Sequence, residues 1–102
     1  MAWKLEERLE GQTKVITLRG RASRAAAPAI VAAVRRAAPP QAVELRFSHA
    51  SGEVDALLPA VLGELRETGA LPHGLRLTGL TRHQRRLLAY LGVRLEGDRA
   101  LQ

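Results

Sequence analysis

Apolar residues alternate with polar ones in some stretches of this chain and recur every three or four residues in others, and the changes of period divide it into elements. Trp3, Leu5 and Leu9 lie among charged residues, Gly11-Gln12 marks a turn, and Val15-Ile16-Thr17-Leu18 is a β-branched run ending at Gly20. That pattern predicts a β-hairpin. From Ser23 to Ala38 the apolar positions Ala27, Ile30, Val31, Val34 and Ala38 fall at helical spacing, with Arg35 and Arg36 on the outer side. Pro28 belongs near the start of this helix, because deeper inside it would delete a backbone hydrogen bond, and Pro39-Pro40 ends it.

Val43, Leu45 and Phe47 alternate with Glu44 and Arg46, which predicts a short strand followed by a loop from Ser48 to Gly52. The stripe Val54, Leu57, Leu58, Val61, Leu62 and Leu65 predicts a second helix with Gly69 capping its end. Pro59 is tolerated only in a first turn, so this helix is expected to begin near Asp55, with that carboxylate close to the N-cap. Leu75 and Leu77 mark another strand. Thr81 and Gln84 have the spacing of a capping box before a third helix, whose core face is Leu87, Leu88 and Leu91 and whose C-terminal cap is Gly92. Val93 and Leu95 are candidates for a last short strand. Helices placed between strands imply an α/β fold, with a central mixed sheet of four to five strands packed against helices.

At 102 residues the chain has the size of one domain, and the expectation is a single domain over residues 1–102. Hydrophobic residues at 46% and charged residues at 25% are ordinary for a globular protein, which argues against disorder and fibrous classes. No run of about 18 apolar residues occurs, and Met1 to Glu10 carries charges where a signal peptide would be apolar, so a cytoplasmic protein without a transmembrane segment is expected. The lack of cysteine removes disulfides, thiolate nucleophiles and Cys-type zinc sites together.

The net charge of +6 raises the question of nucleic acid. The arginines, however, are spread from Arg8 to Arg99, and one Phe, one Tyr and one Trp are too few for stacking platforms. No specific nucleic-acid partner is expected. His49, His73 and His83 lack metal-ligand spacing, and no paired carboxylates, Ser-His-Asp set or Gly-rich phosphate loop can be assembled. The expectation is therefore a non-enzyme that needs no cofactor and no metal.

Val15-Ile16-Thr17-Leu18-Arg19-Gly20-Arg21-Ala22, the Ala-rich helix with Pro28, Val43-Glu44-Leu45-Arg46, Leu75-Arg76-Leu77-Thr78-Gly79-Leu80-Thr81, Leu87-Leu88 and Leu91-Gly92-Val93 follow one another as in the STAS family, and the chain resembles the anti-sigma-factor antagonists of that family. The resemblance implies a STAS-like domain that binds proteins. In signalling members the central strand ends in an aspartate, and the next helix opens with Asp-Ser-Ser-Gly, whose first serine a partner kinase phosphorylates. Here Arg46 takes the place of that aspartate and the segment reads Ser51-Gly52-Glu53-Val54-Asp55. Aligned back from Gly92, Asp55 falls in the phosphoserine slot; aligned from Gly69, Glu53 does. Either way a carboxylate that cannot be phosphorylated stands there.

Two readings of Asp55 follow: an ordinary helix N-cap, or a permanent charge where relatives acquire one by phosphorylation. The expected partner-binding set is Ser48, His49, Ser51, Gly52, Glu53 and Asp55. By resemblance the partner is a serine-kinase-type anti-sigma factor or a related switch protein. The alternatives are an ABC ATPase subunit, with this chain as a STAS accessory subunit of a bacterial lipid-transport system, and a scaffold role in a signalling assembly. Arg82, His83, Arg85 and Arg86 concentrate positive charge at the start of the last helix, either as a patch for an acidic partner surface or anionic lipid head groups or as a solvated helix face, with Arg82, Arg85 and Arg86 as its core.

Overall fold

A computed structural model describes residues 2–37, 42–69 and 75–90. Strands β1 (Trp3–Glu10) and β2 (Thr13–Ala22) form the expected hairpin, with Glu10 opposite Thr13 across the Gly11-Gln12 turn. A single 3-10 turn at Arg24–Ala26 leads into helix α1 (Ala27–Arg35), then strand β3 (Ala42–Gly52), helix α2 (Val54–Glu67), strand β4 (Leu75–Thr78) and helix α3 (Arg82–Tyr90). The sheet order is β1-β2-β3-β4. β1 runs antiparallel to β2, whereas β2, β3 and β4 are parallel, so the four-stranded sheet is mixed as expected. The parallel neighbours require crossovers, which α1 and α2 supply.

The core lies on one face of the sheet. Ile16 and Leu18 of β2, Val43, Leu45 and Phe47 of β3 and Leu77 of β4 meet Ile30, Val31 and Val34 of α1. The stripe read from the sequence of α2, Val54, Leu57, Leu58, Val61, Leu62 and Leu65, is buried throughout and joins the same cluster. Each such aliphatic side chain gains about 1.5–3 kcal/mol on leaving water. α2 packs beside α1, and α3 packs against α2. Leu88 of α3 is fully buried while Leu87 is only half-buried; Leu91, Gly92, Val93 and Leu95 lie outside the described residues, as do Ala38, Pro39 and Pro40.

Lys14 ties β2 to the end of α1. Its Nζ donates to the Ala33 carbonyl at 2.9 Å, an acceptor in the last helical turn with no partner further along the helix, and lies 2.8 Å from Glu7 Oε1. Pro28 sits in the first turn of α1, where its missing N–H costs nothing. At the other end of α2 Thr68 closes the helix, its hydroxyl donating to the Glu64 carbonyl at 2.8 Å, and Gly69 follows in the left-handed conformation with φ +70. This is the cap expected from the sequence.

Three boundaries differ from expectation. The first helix is shorter than Ser23–Ala38, because Ser23 is extended and residues 24–26 form the tighter 3-10 turn. The segment from Ser48 to Gly52 is the end of β3 and not a loop: β3 carries one extra residue where Thr17 pairs Arg46 but Arg19 pairs His49, and beyond this bulge β3 pairs β2 again through Ala22 and Gly52. Arg46 accordingly lies mid-strand rather than at a strand end. Finally, α2 starts at Val54 with Glu53 at its N-cap, so Asp55 is inside the first turn and is not the cap, and Pro59 lies beyond that turn. Pro59 removes the hydrogen bond that the Asp55 carbonyl would accept, a loss the buried stripe of α2 outweighs.

Candidate functional site

The C-terminal ends of β2, β3 and β4 lead directly into the N-termini of α1, α2 and α3, which is the edge where parallel α/β sheets usually place recognition. Thr81 precedes α3, and its capping box is formed: the Thr81 N–H donates to Gln84 Oε1 at 2.9 Å and the Gln84 N–H donates to Thr81 Oγ1 at 3.1 Å. The remaining group of that glutamine reaches across to α2, where Nε2 donates to Asp55 Oδ1 at 3.0 Å. His83 Nε2 lies 3.6 Å from Asp55 Oδ2. Asp55 thus joins the starts of two helices, and no side chain caps α2 at Glu53. The Asp55 side chain remains about half exposed, at 49%.

The approach of α3 to this point depends on Gly79, which has φ +76 and packs so closely on β3 that an added Cβ would fall 2.3 Å from the Ser48 nitrogen. Only glycine fits that contact without displacing backbone. Gln84 was legible in the sequence as half of a capping box, but its second bond, to Asp55, was not, because it spans 29 residues of sequence.

The structure spreads the expected partner-binding residues over more than one surface. Glu53 and Asp55 stand at the start of α2, and Ser48, Ser51 and Gly52 are exposed along the end of β3 leading to them. His49 instead opens onto the sheet face opposite the described helices, in a shallow cleft with Glu6, Arg8, Thr17, Arg19 and Arg46. Ser51 Oγ donates to the Gly20 carbonyl at 3.4 Å.

That open face is a ladder of paired charges. Glu6 bonds Arg19 and Arg8 bonds Glu10, while Arg46 Nε donates to Glu44 Oε2 at 2.9 Å and Arg46 Nη2 lies 3.8 Å from Glu10 Oε1. Thr78 Oγ1 donates to the same Glu44 oxygen at 2.8 Å. The Arg19 bond holds the Glu6 carboxyl below its usual range. At Glu44 burial pushes the carboxyl up, but the Arg46 and Thr78 bonds outweigh it and the net direction is down. Sequence reasoning missed this cleft; the signal for it was the alternation Lys4, Glu6, Arg8 and Glu10, which a strand places on one face.

Of the basic set on α3, Arg82 and Arg86 are exposed, Arg85 is half-buried and engaged, and His83 faces Asp55. His73 lies outside the described residues. Among the described residues there is no cluster of His, Cys, Asp and Glu able to hold a metal ion, and no helix long and apolar enough to cross a membrane.

Among solved structures, the chain is similar to the crystal structure of an antisigma-factor antagonist, a STAS domain from Rhodobacter sphaeroides. The two share 24% identity, the match covers 76% of this chain and 87% of that one, and the TM-score is 0.49. No family model matches the chain, and no curated protein matches it.

Proposed function

We propose that this chain is a non-catalytic docking module, a single STAS-like domain of the anti-sigma-factor-antagonist kind that regulates a protein partner through the start of α2 and the adjoining end of β3. One observation carries the reading: the Asp55 carboxylate is half exposed at the surface and held in place from α3 by Gln84 Nε2. A charge fixed by a neighbouring helix presents a partner with a defined electrostatic feature rather than a mobile one. Glu53, at the N-cap two residues earlier, adds a second carboxylate on the same approach. The slot that carries a switchable serine in the sequences this one resembles is here permanently anionic. A carboxylate has less charge and fewer oxygens than a phosphate, so the mimicry is partial.

By the resemblance of its motifs, the partner is a serine-kinase-type anti-sigma factor or a related switch protein of the bacterial cytoplasm. The test is affinity capture from native lysate with the wild-type chain beside Asp55→Ala and Gln84→Ala. Because the charge stands where phosphorylation would weaken binding, recovery of a kinase-type anti-sigma factor, enriched by Asp55→Ala, is the expected result. Equal recovery by all three baits would remove Asp55 from the mechanism. Recovery of an ABC ATPase instead would move the chain to lipid transport.

A further inference from the structure

We propose that β1 is a self-association edge: two copies pair their β1 strands antiparallel about a two-fold axis at Glu7, joining the two sheets into one. β1 lies at the end of the sheet, and among the described residues nothing pairs with its outer edge. The strand runs from Trp3 to Glu10 without proline or bulge, so it presents a long unpaired row of backbone groups.

The backbone fixes which residues point outward. The Arg21 N–H donates to the Ala2 carbonyl at 2.8 Å, so Ala2 and, by alternation, Lys4, Glu6, Arg8 and Glu10 direct their backbone groups toward β2. Leu5, Glu7 and Leu9 therefore direct theirs to the free edge. Antiparallel partners must both point at each other, so only registers that pair odd residues with odd ones are allowed.

Charge then selects among them. Centred on Glu6, the pairing sets Lys4 against Arg8 and Glu6 against itself; centred on Arg8, it sets Glu6 against Glu10 and Arg8 against itself. Both oppose like charges. Centred on Glu7, it sets Lys4 against Glu10 and Glu6 against Arg8, each twice, on the helix-free face. A register centred on Leu5 also matches Lys4 with Glu6, but it pairs only Trp3 to Glu7 and leaves Leu9 uncovered.

On the other face the Glu7-centred register sets Leu5 against Leu9. Leu9 is one of two large hydrophobic side chains exposed among the described residues, at 59%, and this pairing covers it. The two central glutamates oppose each other, but each is already held by Lys14 and Arg36 of its own chain, so the cluster on the axis is net positive rather than anionic. The edge lies two strands from β3, so pairing leaves the start of α2 free. The result is an isologous interface, the commonest form of closed association.

Sedimentation over a range of concentrations tests the pairing. The wild type is expected to dimerise reversibly. Lys4→Glu places Glu opposite Glu twice and is expected to weaken association about tenfold, from the size of cross-strand charge pairs. The double variant Lys4→Glu/Glu10→Lys restores opposite charges in the Glu7-centred register, whereas the Leu5-centred one keeps Glu against Glu, and it is expected to recover most of that loss. Amide exchange gives a reading independent of any variant: the Leu5, Glu7 and Leu9 amides are expected to slow as concentration rises. A wild type that stays monomeric, a double variant no tighter than the single one, or edge amides whose exchange ignores concentration would each overturn the proposal.

Discussion

Replacing Gly79 by alanine tests how the β4–α3 connection is seated on β3, and Gly69 supplies the control. Both glycines adopt left-handed backbone, with φ +76 at Gly79 and φ +70 at Gly69. Alanine in that conformation costs about 1–2 kcal/mol whatever its surroundings. At Gly69 the new Cβ meets nothing within 4 Å, so that conformational cost is the whole expected effect. At Gly79 it would fall 2.3 Å from the Ser48 nitrogen and 2.7 Å from its Cα, backbone atoms of a strand paired with β2 near the bulge. These cannot swing aside, so the β4–α3 connection must lift by roughly an ångström, with an added overpacking cost of about 1–3 kcal/mol. Urea unfolding at fixed transition slope is the assay, with Gly79→Ala expected to lose about 3 kcal/mol and Gly69→Ala about 1 kcal/mol. The lift would also draw Gln84 away from Asp55, so Gly79→Ala should alter partner capture in the direction of Gln84→Ala. Equal losses at the two glycines would refute the close approach on which the geometry of the proposed docking site depends.

Four further outcomes can be checked by the same unfolding measurements. Leu57 of α2 is fully buried in the core, and Leu57→Ala is expected to cost about 2–5 kcal/mol through the cavity it leaves. Thr81→Ala removes one half of the capping box and is expected to cost about 1 kcal/mol while loosening the Asp55–Gln84 link. The Lys14 and Arg36 bonds hold the Glu7 carboxyl below its usual range, so its contribution is complete above about pH 4.5 and is lost as pH falls through the lowered folded value; Glu7→Gln should therefore flatten the acid limb of the stability profile and leave the neutral region without a pH slope. A double-mutant cycle on Glu44 and Arg46 should show coupling of about 1 kcal/mol or more, because the pair is joined by a 2.9 Å bond at a buried carboxylate; additive losses would mean that Thr78 alone satisfies Glu44.

The elements were legible because local signals and burial agree. The α2 stripe, the β2 run and the capping box at Thr81 each follow from a period or a spacing that the fold then uses. What was not legible depends on contacts between distant segments. The bulge in β3 arises from how β3 pairs with β2, and nothing in Ser48-His49-Ala50-Ser51-Gly52 distinguishes a polar strand end from a loop. Pro59 argues for a start near Asp55 on local cost alone, whereas the burial of Val54 and Leu57 holds α2 in place from Val54 onward. For the same reason Asp55, an N-cap by propensity, became a bridge once α3 folded against it.

The charge of the chain also reads differently once the sheet is in view. Parallel strands are normally covered on both faces, yet among the described residues helices cover only one. The other face is closed by the stems of charged side chains: Val15 is 1% exposed beneath them, and Thr17 and Glu44 are buried as well. Arg8, Arg19 and Arg46 are engaged there by Glu6, Glu10 and Glu44, so part of the cationic composition serves as the outer covering of the sheet. Exposed ion pairs contribute little individually. Arranged as a ladder that continues to the free edge of β1, however, they constrain which strand could be added there, and the complement of that ladder is the strand itself.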